Sequence, residues 1–335
     1  MNNITLHTTV DEIDSEKWMK LACDSVCTSF FQTIECYRFY NTLSFMTPFV
    51  IGVSEDDNLT GLICGYIIAD GNPIKRYFSR RAIIPGGALL SQTISNEALF
   101  RLLESMKKEL IGKCIYIEFR NYTDYSVHKS VFEQSSFKYQ PHLNFHISTP
   151  DADTALKNLS STKRRDIKLS KKQGAEWIET VEHKDIIEFY ELLKDLYLTK
   201  IKLPLFPISF FEKLILTGIG KLFIVKYDGR IIGGSVCILS SPKAVFEWFV
   251  CGLDGQIKNI FPSTLATWAG IEYAALNGYQ RFDMMGAGKP DEGYGVREFK
   301  SKFGGELVEH GRYIFVCKSL LFFIGKKIIS LIKKR

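Results

Sequence analysis

No run in the 335-residue sequence is apolar for long enough to cross a bilayer. The best candidate, Leu320 to Ile332, is broken by Gly325-Lys326-Lys327, well short of the about 20 residues that a spanning helix needs. Met1 to Glu16 lacks the basic and apolar regions of a secretory signal, so the expectation is a chain that stays in the cytoplasm. The eight cysteines (Cys23, Cys27, Cys36, Cys64, Cys114, Cys237, Cys251, Cys317) form no Cys-x-x-Cys pair and several lie in apolar runs, which reads as reduced core thiols. The six histidines (His7, His128, His142, His146, His183, His310) are dispersed, and no metal is expected. There is no Gly-x-Ser-x-Gly elbow and no Cys/His grouping, so a covalent enzyme nucleophile is not expected either.

What is present is ordinary globular composition, 46% hydrophobic and 24% charged, in a chain long enough for two cores. The net charge of +6 and pI of about 8.7 suit an anionic partner: RNA, a phosphate-bearing substrate or an acidic membrane surface.

Two stretches look alike. Phe49 to Ser54, a turn over Asp57 to Gly61 and Leu62 to Ile68 read as one β-hairpin; Leu222 to Tyr227, Asp228-Gly229 and Arg230 to Ile238 read as another. Each is followed by a further strand, a loop bearing glycine or proline, an amphipathic helix and a last strand. These are Ala98 to Leu110 then Cys114 to Phe119, and Thr264 to Leu276 then Arg281 to Met285. One α/β unit with a mixed sheet is therefore expected twice, in the order of acyltransferase domains. The turn-forming Thr149-Pro150-Asp151-Ala152-Asp153 places the boundary between a domain of residues 1–149 and one of residues 150–317.

Three helices stand out. Ala155 to Gln173 carries the basic cluster Lys163, Arg164, Arg165, Lys168, Lys171 and Lys172 and stops at Gly174. Ile186 to Leu198 has apolar residues at helical spacing and ends before Lys200-Ile201-Lys202. Lys318 to Arg335 is amphipathic and strongly basic, so its last lysines are candidates for contact with anionic lipid.

The segment Phe282-Asp283-Met284-Met285-Gly286-Ala287-Gly288-Lys289-Pro290 through Tyr294, Arg297 and Phe299-Lys300-Ser301-Lys302-Phe303-Gly304-Gly305 resembles the C-terminal signature of the FemA/FemB/FemX family of peptidoglycan-bridge aminoacyltransferases. Thr162 to Lys168 with Gly174 looks like the basic helix opening that family's second domain, Phe30-Phe31-Gln32-Thr33 is similar to its N-terminal motif, and Ser79 to Gly87 to the loop before its first-domain helix. The resemblance implies tandem GNAT-like domains, without the long coiled-coil insertion of many members, and a C-terminal helix, 318–335, that returns to the first domain. It also implies aminoacyl-tRNA as donor and an amine of a soluble or lipid-linked peptidoglycan precursor as acceptor. No cofactor beyond these substrates is expected, and the oligomeric state stays open.

Aminoacyl transfer needs a neutral attacking amine and a group that stabilises charge developing on the ester carbonyl. Lys300 matches the lysine of the family's Phe-Lys pair and is the first catalytic candidate, followed by Lys302; solvated charges on a strand from Glu298 are the plain alternative. Asp283, ending a buried strand, is a candidate to accept a proton or orient an amine, or simply to cap a turn. Gly286 and Gly288, with Gly293 and Gly295, permit a shaped loop, and Lys289, Tyr294, Arg297, Lys200 and Lys202 are candidates for substrate contact. Lys163, Arg164, Arg165, Lys168 and Lys258 are candidates to grip tRNA or phosphate; a solvated helix face is the competing reading.

Two other functions remain open. One is an acyl-CoA-dependent N-acyltransferase acting on an amino sugar of a surface polysaccharide. The residues before the second helix, Gly255 to Thr264, lack the internal glycines of a pyrophosphate cradle, which disfavours it, although Pro262-Ser263-Thr264 is a plausible hydroxyl-capped helix start. The other is a non-catalytic RNA- or membrane-binding adaptor.

Overall fold

Two short turns organise the backbone. Asp56-Asp57 (φ 45° and 64°) joins strand Met46–Glu55 to Asn58–Ile68, and Asp228-Gly229 (φ 49° and 72°) joins Gly220–Tyr227 to Arg230–Ser240. Left-handed angles at both central residues match the twist of the flanking strands. The first turn is therefore two residues long rather than spanning Asp57 to Gly61, because short acidic side chains tolerate that conformation and let pairing begin at Asn58.

The computed structural model describes residues 3–71, 73–240 and 243–334, the side chains of 73, 74 and 328–334 excepted. It divides into two compact units, Met1–Pro141 with Glu309–Arg335, and His142–Val308. Each repeats one pattern: hairpin, third strand, crossover helix, and a last strand parallel to the third. In the first unit these are Arg81–Gly86, Asn96–Leu110 and Tyr116–Asn121; in the second, Ala244–Gly252, Pro262–Leu276 and Arg281–Asp283.

In the first unit the sheet runs Ile4–His7, Met46–Glu55, Asn58–Ile68, Arg81–Gly86, Tyr116–Asn121, Arg312–Val316, Lys138–Gln140, with Leu89–Leu90 beside Asn58–Ile68. Two of the motifs that carried the family resemblance meet here: the buried Gln32 amide donates to Gly86 O and Gly87 O at 3.1 and 3.2 Å. The second unit's sheet runs Glu306–Glu309, Leu143–Ser148, Arg281–Asp283, Ala244–Gly252, Arg230–Ser240, Gly220–Tyr227, Glu176–Thr180.

The joint expected at 149/150 lies earlier, at 141/142. Strand Leu143–Ser148 pairs antiparallel with Arg281–Asp283, and Leu143, Phe145 and Ile147 enter the second unit's core. The return to the first unit likewise begins before residue 318, because strand Arg312–Val316 fills the gap between Tyr116–Asn121 and Lys138–Gln140. In the C-terminal helix Ser319–Lys334, Phe322 packs edge-on against Tyr116 at 5.2 Å. The side chains of Lys333, Lys334 and Arg335, expected to meet lipid, lie outside the described residues.

The single basic helix expected over Ala155 to Gln173 is two helices, Ala152–Asn158 and Ser161–Lys172. Leu159 is extended and Ser160 is non-helical; Ser160 N donates to Lys302 O, and the Ser160 hydroxyl caps Lys163 N. Helix His183–Leu196, which continues as a π-helical turn over Tyr197–Ile201, covers the other sheet face: Gly234 backs onto its Phe189, whereas the neighbouring Gly233 backs onto Pro262. Lys200 and Lys202 therefore do not extend the basic helix.

Candidate active site

Strand alternation puts Asn144 and His146 on the side of Leu143–Ser148 opposite its core residues, and the register sets His146 across from Asp283. Asp283 is wholly buried. Its Oδ1 accepts from Asn144 Nδ2 at 2.7 Å and from Met285 N at 2.8 Å, and His146 Nε2 stands 3.0 Å from Oδ2. Burial by itself would push this carboxyl up; His146, the Asn144 amide and the Met285 N–H outweigh that and hold it below the usual carboxylate range. Asn144 Oδ1 completes the frame by accepting from Gly286 N at 2.8 Å. Asp283 thus both caps the turn and holds an imidazole whose side chain is 14% exposed. A carboxylate-held imidazole can accept a proton from an attacking amine.

Lys300 and Arg297 fasten the signature loop from within. Instead of a strand from Glu298, residues Gly295–Ser301 form a helix, which turns Lys300 inward. Its ammonium donates to Met284 O and, at 2.7 Å, to Gly286 O. Burial lowers the Lys300 pKa; the negative charges of Glu247 and Asp283 oppose the shift. Glu247, on strand Ala244–Gly252, is 3% exposed and its carboxylate oxygens accept no hydrogen bond of normal geometry among the described residues. Burial pushes it up to about 7, with Lys300 and Thr267 pulling the other way. Arg297 donates to Ala287 O at 2.8 Å and to the carbonyls of Lys289, Pro290 and Glu292, so its guanidinium is occupied by the loop itself.

Of the four loop glycines, Gly286 and Gly288 take positive φ (109° and 78°), whereas Gly293 and Gly295 do not. Gly288 lies against Tyr294, which is 43% exposed, and exposed Lys289 pairs with Glu292 at 2.7 Å. Lys302 is exposed, and its carbonyl anchors Ser160 N.

The phosphate-gripping candidates divide. Lys163 is buried: its ammonium donates to Thr264 Oγ1 at 2.6 Å and lies 3.9 Å from the centre of the Phe299 ring and 5.0 Å from that of Phe303. Burial lowers it to about 8, assisted by Lys302 and opposed by Asp166 and Asp254. Arg164 is tied to the carbonyls of Lys157 and Leu159. Arg165 and Lys168 on the helix, and Lys258 in the loop before Pro262, are solvent-facing. At the start of Pro262–Leu276 no hydroxyl caps the helix; Ser263 N donates to the Asp254 carboxylate at 3.2 Å, and Phe261 N to Ser170 Oγ at 3.0 Å.

His146, Asn144 and Glu247 were absent from the sequence candidates. The alternation of Leu143 to Ile147 was the available signal for the first two; nothing local distinguishes Glu247 from any strand glutamate. Among the described residues no group of His, Cys, Asp and Glu is arranged to hold a metal ion.

Residues 157–301 match the acetyltransferase (GNAT) domain family. No curated protein sequence matches the chain. Among solved structures, the crystal structure of FemX is similar over 96% of this chain and 99% of its own at TM-score 0.71 and 14% identity. A tandem GNAT protein from the clavulanic acid biosynthesis pathway covers 94% and 99% at TM-score 0.59 and 10% identity. L-PGS from Bacillus licheniformis covers 93% and 96% at TM-score 0.56 and 12% identity. The matched domain, residues 157–301, is of the GNAT acyltransferase class, so the chain carries an enzyme domain of the kind that moves an acyl group. Within that class the chain has the FemX-like tandem GNAT fold.

Proposed function

We propose that this acyltransferase moves an amino acid from aminoacyl-tRNA to an amine of a peptidoglycan precursor at the inner face of the cell membrane. The observation that carries the choice of donor is the start of helix Pro262–Leu276. In a coenzyme A enzyme of this fold a pyrophosphate would take the free N–H groups there, and here Asp254 already supplies a carboxylate to Ser263 N. A second anion would meet that negative charge. The FemX-like fold over nearly the whole chain supports the same reading.

In this proposal the acceptor amine, once neutral, attacks the ester carbonyl; the C–N bond forms and the bond to the ribose oxygen breaks. His146 takes the amine proton and returns it to the leaving oxygen, and Asp283 holds the imidazole in place. Lys300 acts through the loop, since its ammonium is engaged by Met284 O and Gly286 O, and is a positioning residue. Exposed Arg165 and Lys168 meet RNA phosphates.

The test incubates purified protein with peptidoglycan precursors and either a labelled aminoacyl-tRNA pool or labelled acetyl-CoA, following label into acid-stable product. Transfer from tRNA is expected. Transfer only from the thioester would move the assignment to an N-acyltransferase of an amino sugar, and tRNA binding without transfer to any amine would favour the adaptor.

A further inference from the structure

The first unit holds two thiols in contact that the transfer chemistry does not use. Cys114 Sγ and Cys317 Sγ are 3.8 Å apart, although 203 positions separate them in the chain. Cys114 lies just before strand Tyr116–Asn121 and is buried; Cys317 directly follows strand Arg312–Val316 and is half-buried. These strands are antiparallel with Val316 opposite Tyr116, and Cys317 N and Lys318 N both donate to Ile115 O, at 2.9 and 3.0 Å. Cys317 is therefore tied to the backbone next to Cys114, whose own N–H donates to Leu110 O at 3.2 Å at the end of helix Asn96–Leu110. A disulfide requires sulfurs about 2.05 Å apart, and this pair starts from van der Waals contact.

We propose that Cys114 and Cys317 form a reversible disulfide, a peroxide-responsive staple between the C-terminal segment and the first unit's sheet. The two sulfurs have different roles. The contact with Cys114, then Lys318 and Lys107, favour the Cys317 thiolate over its partial burial and lower its pKa; the same contact, with burial, raises Cys114 and keeps it a thiol. The Cys317 thiolate attacks one oxygen of hydrogen peroxide, giving a sulfenic acid and hydroxide. The Cys114 thiol then attacks the Cys317 sulfur: the S–S bond forms, the S–O bond breaks, and the Cys114 proton leaves with the hydroxyl as water. The thiols lose two electrons and two protons, and peroxide is reduced to water. A dithiol reverses the step by exchange.

A cavity of about 20 Å³ borders Cys114, lined by Tyr77, Arg80, Lys113, Ile115 and Lys318. It has room for a molecule the size of water. Elsewhere Cys36, Cys64, Cys237 and Cys251 are buried with raised pKa values, and Cys23 is exposed. They serve as internal standards for selectivity.

The experiment treats the full wild-type chain with graded hydrogen peroxide, blocks residual thiols by alkylation, digests without reductant and maps the peptides by mass spectrometry. A Cys114–Cys317 cross-link is expected before any other cysteine is modified, and dithiothreitol should remove it. In Cys114→Ser the sulfenic acid has no resolving thiol, so Cys317 should advance to sulfinic acid. Conversion of wild-type Cys317 to sulfinic acid without a cross-link, or oxidation of Cys23 while the pair stays reduced, overturns the proposal. Because the wild-type map decides by itself, a variant that fails to fold does not obscure the answer.

Discussion

Asp283 Oδ1 accepts from Asn144 and Met285, and Oδ2 lies 3.0 Å from His146 Nε2 as a charge pairing. Asp283→Asn keeps the shape and removes the charge that holds the imidazole. Its kcat should fall about 10²-fold with KM little changed, and Asp283→Asn/His146→Ala should be no slower than His146→Ala alone. Additive losses in steady-state kinetics would separate the two residues. Glu247 gives a second expectation, on stability. Its carboxyl titrates near 7 when folded and at the ordinary 4.5 when unfolded, so the folded state holds the extra proton between those values. The stability due to that proton is fully present below 4.5 and lost as pH rises through about 7. Relative to Glu247→Gln, the wild type should therefore lose up to about 3 kcal/mol across that window, read from urea denaturation at several pH values. Parallel curves would mean that Glu247 does not change protonation there. Asp283 and Lys300 stood out in the sequence because they sit in a glycine-rich signature. The burial of Lys300 did not, since a lysine's environment is set by the helix that carries it and the residues packed over it.

The helix Ser161–Lys172 shows how one element separates two kinds of lysine. Lys163 faces Phe299, Phe303 and Thr264, whereas Arg165, Lys168, Lys171 and Lys172 face solvent. Neutralising Arg165 and Lys168 together should weaken tRNA binding and flatten its salt dependence by about one unit of slope per lost phosphate contact. Lys163→Met should leave that slope unchanged. Filter binding across a salt series separates the two, and equal slopes for all variants would remove this helix from the RNA contact. A charge cluster in the sequence is legible as a cluster, but which members are solvated depends on helical phase, and that phase restarts at the Leu159-Ser160 break.

For the whole molecule, chain order and spatial order part company at the C-terminus. Strand Arg312–Val316 sits inside the first unit's sheet, with Tyr313 stacked on Phe132 at 4.1 Å. Truncation after Val308 would leave strands Tyr116–Asn121 and Lys138–Gln140 without the partner between them. Limited proteolysis should then cut rapidly before Pro141; protection equal to the intact chain would show that the unit folds without its last strand. Hairpins, crossover helices and the doubling of the unit were all determined by the sequence itself, because alternation, turn chemistry and helical periodicity act over a few residues. Only the tertiary structure decided that Leu143–Ser148 belongs to the second core, that His146 meets Asp283, and that Lys300 and Lys163 are enclosed. Each depends on register and packing between residues far apart in the chain, where no local pattern carries the information.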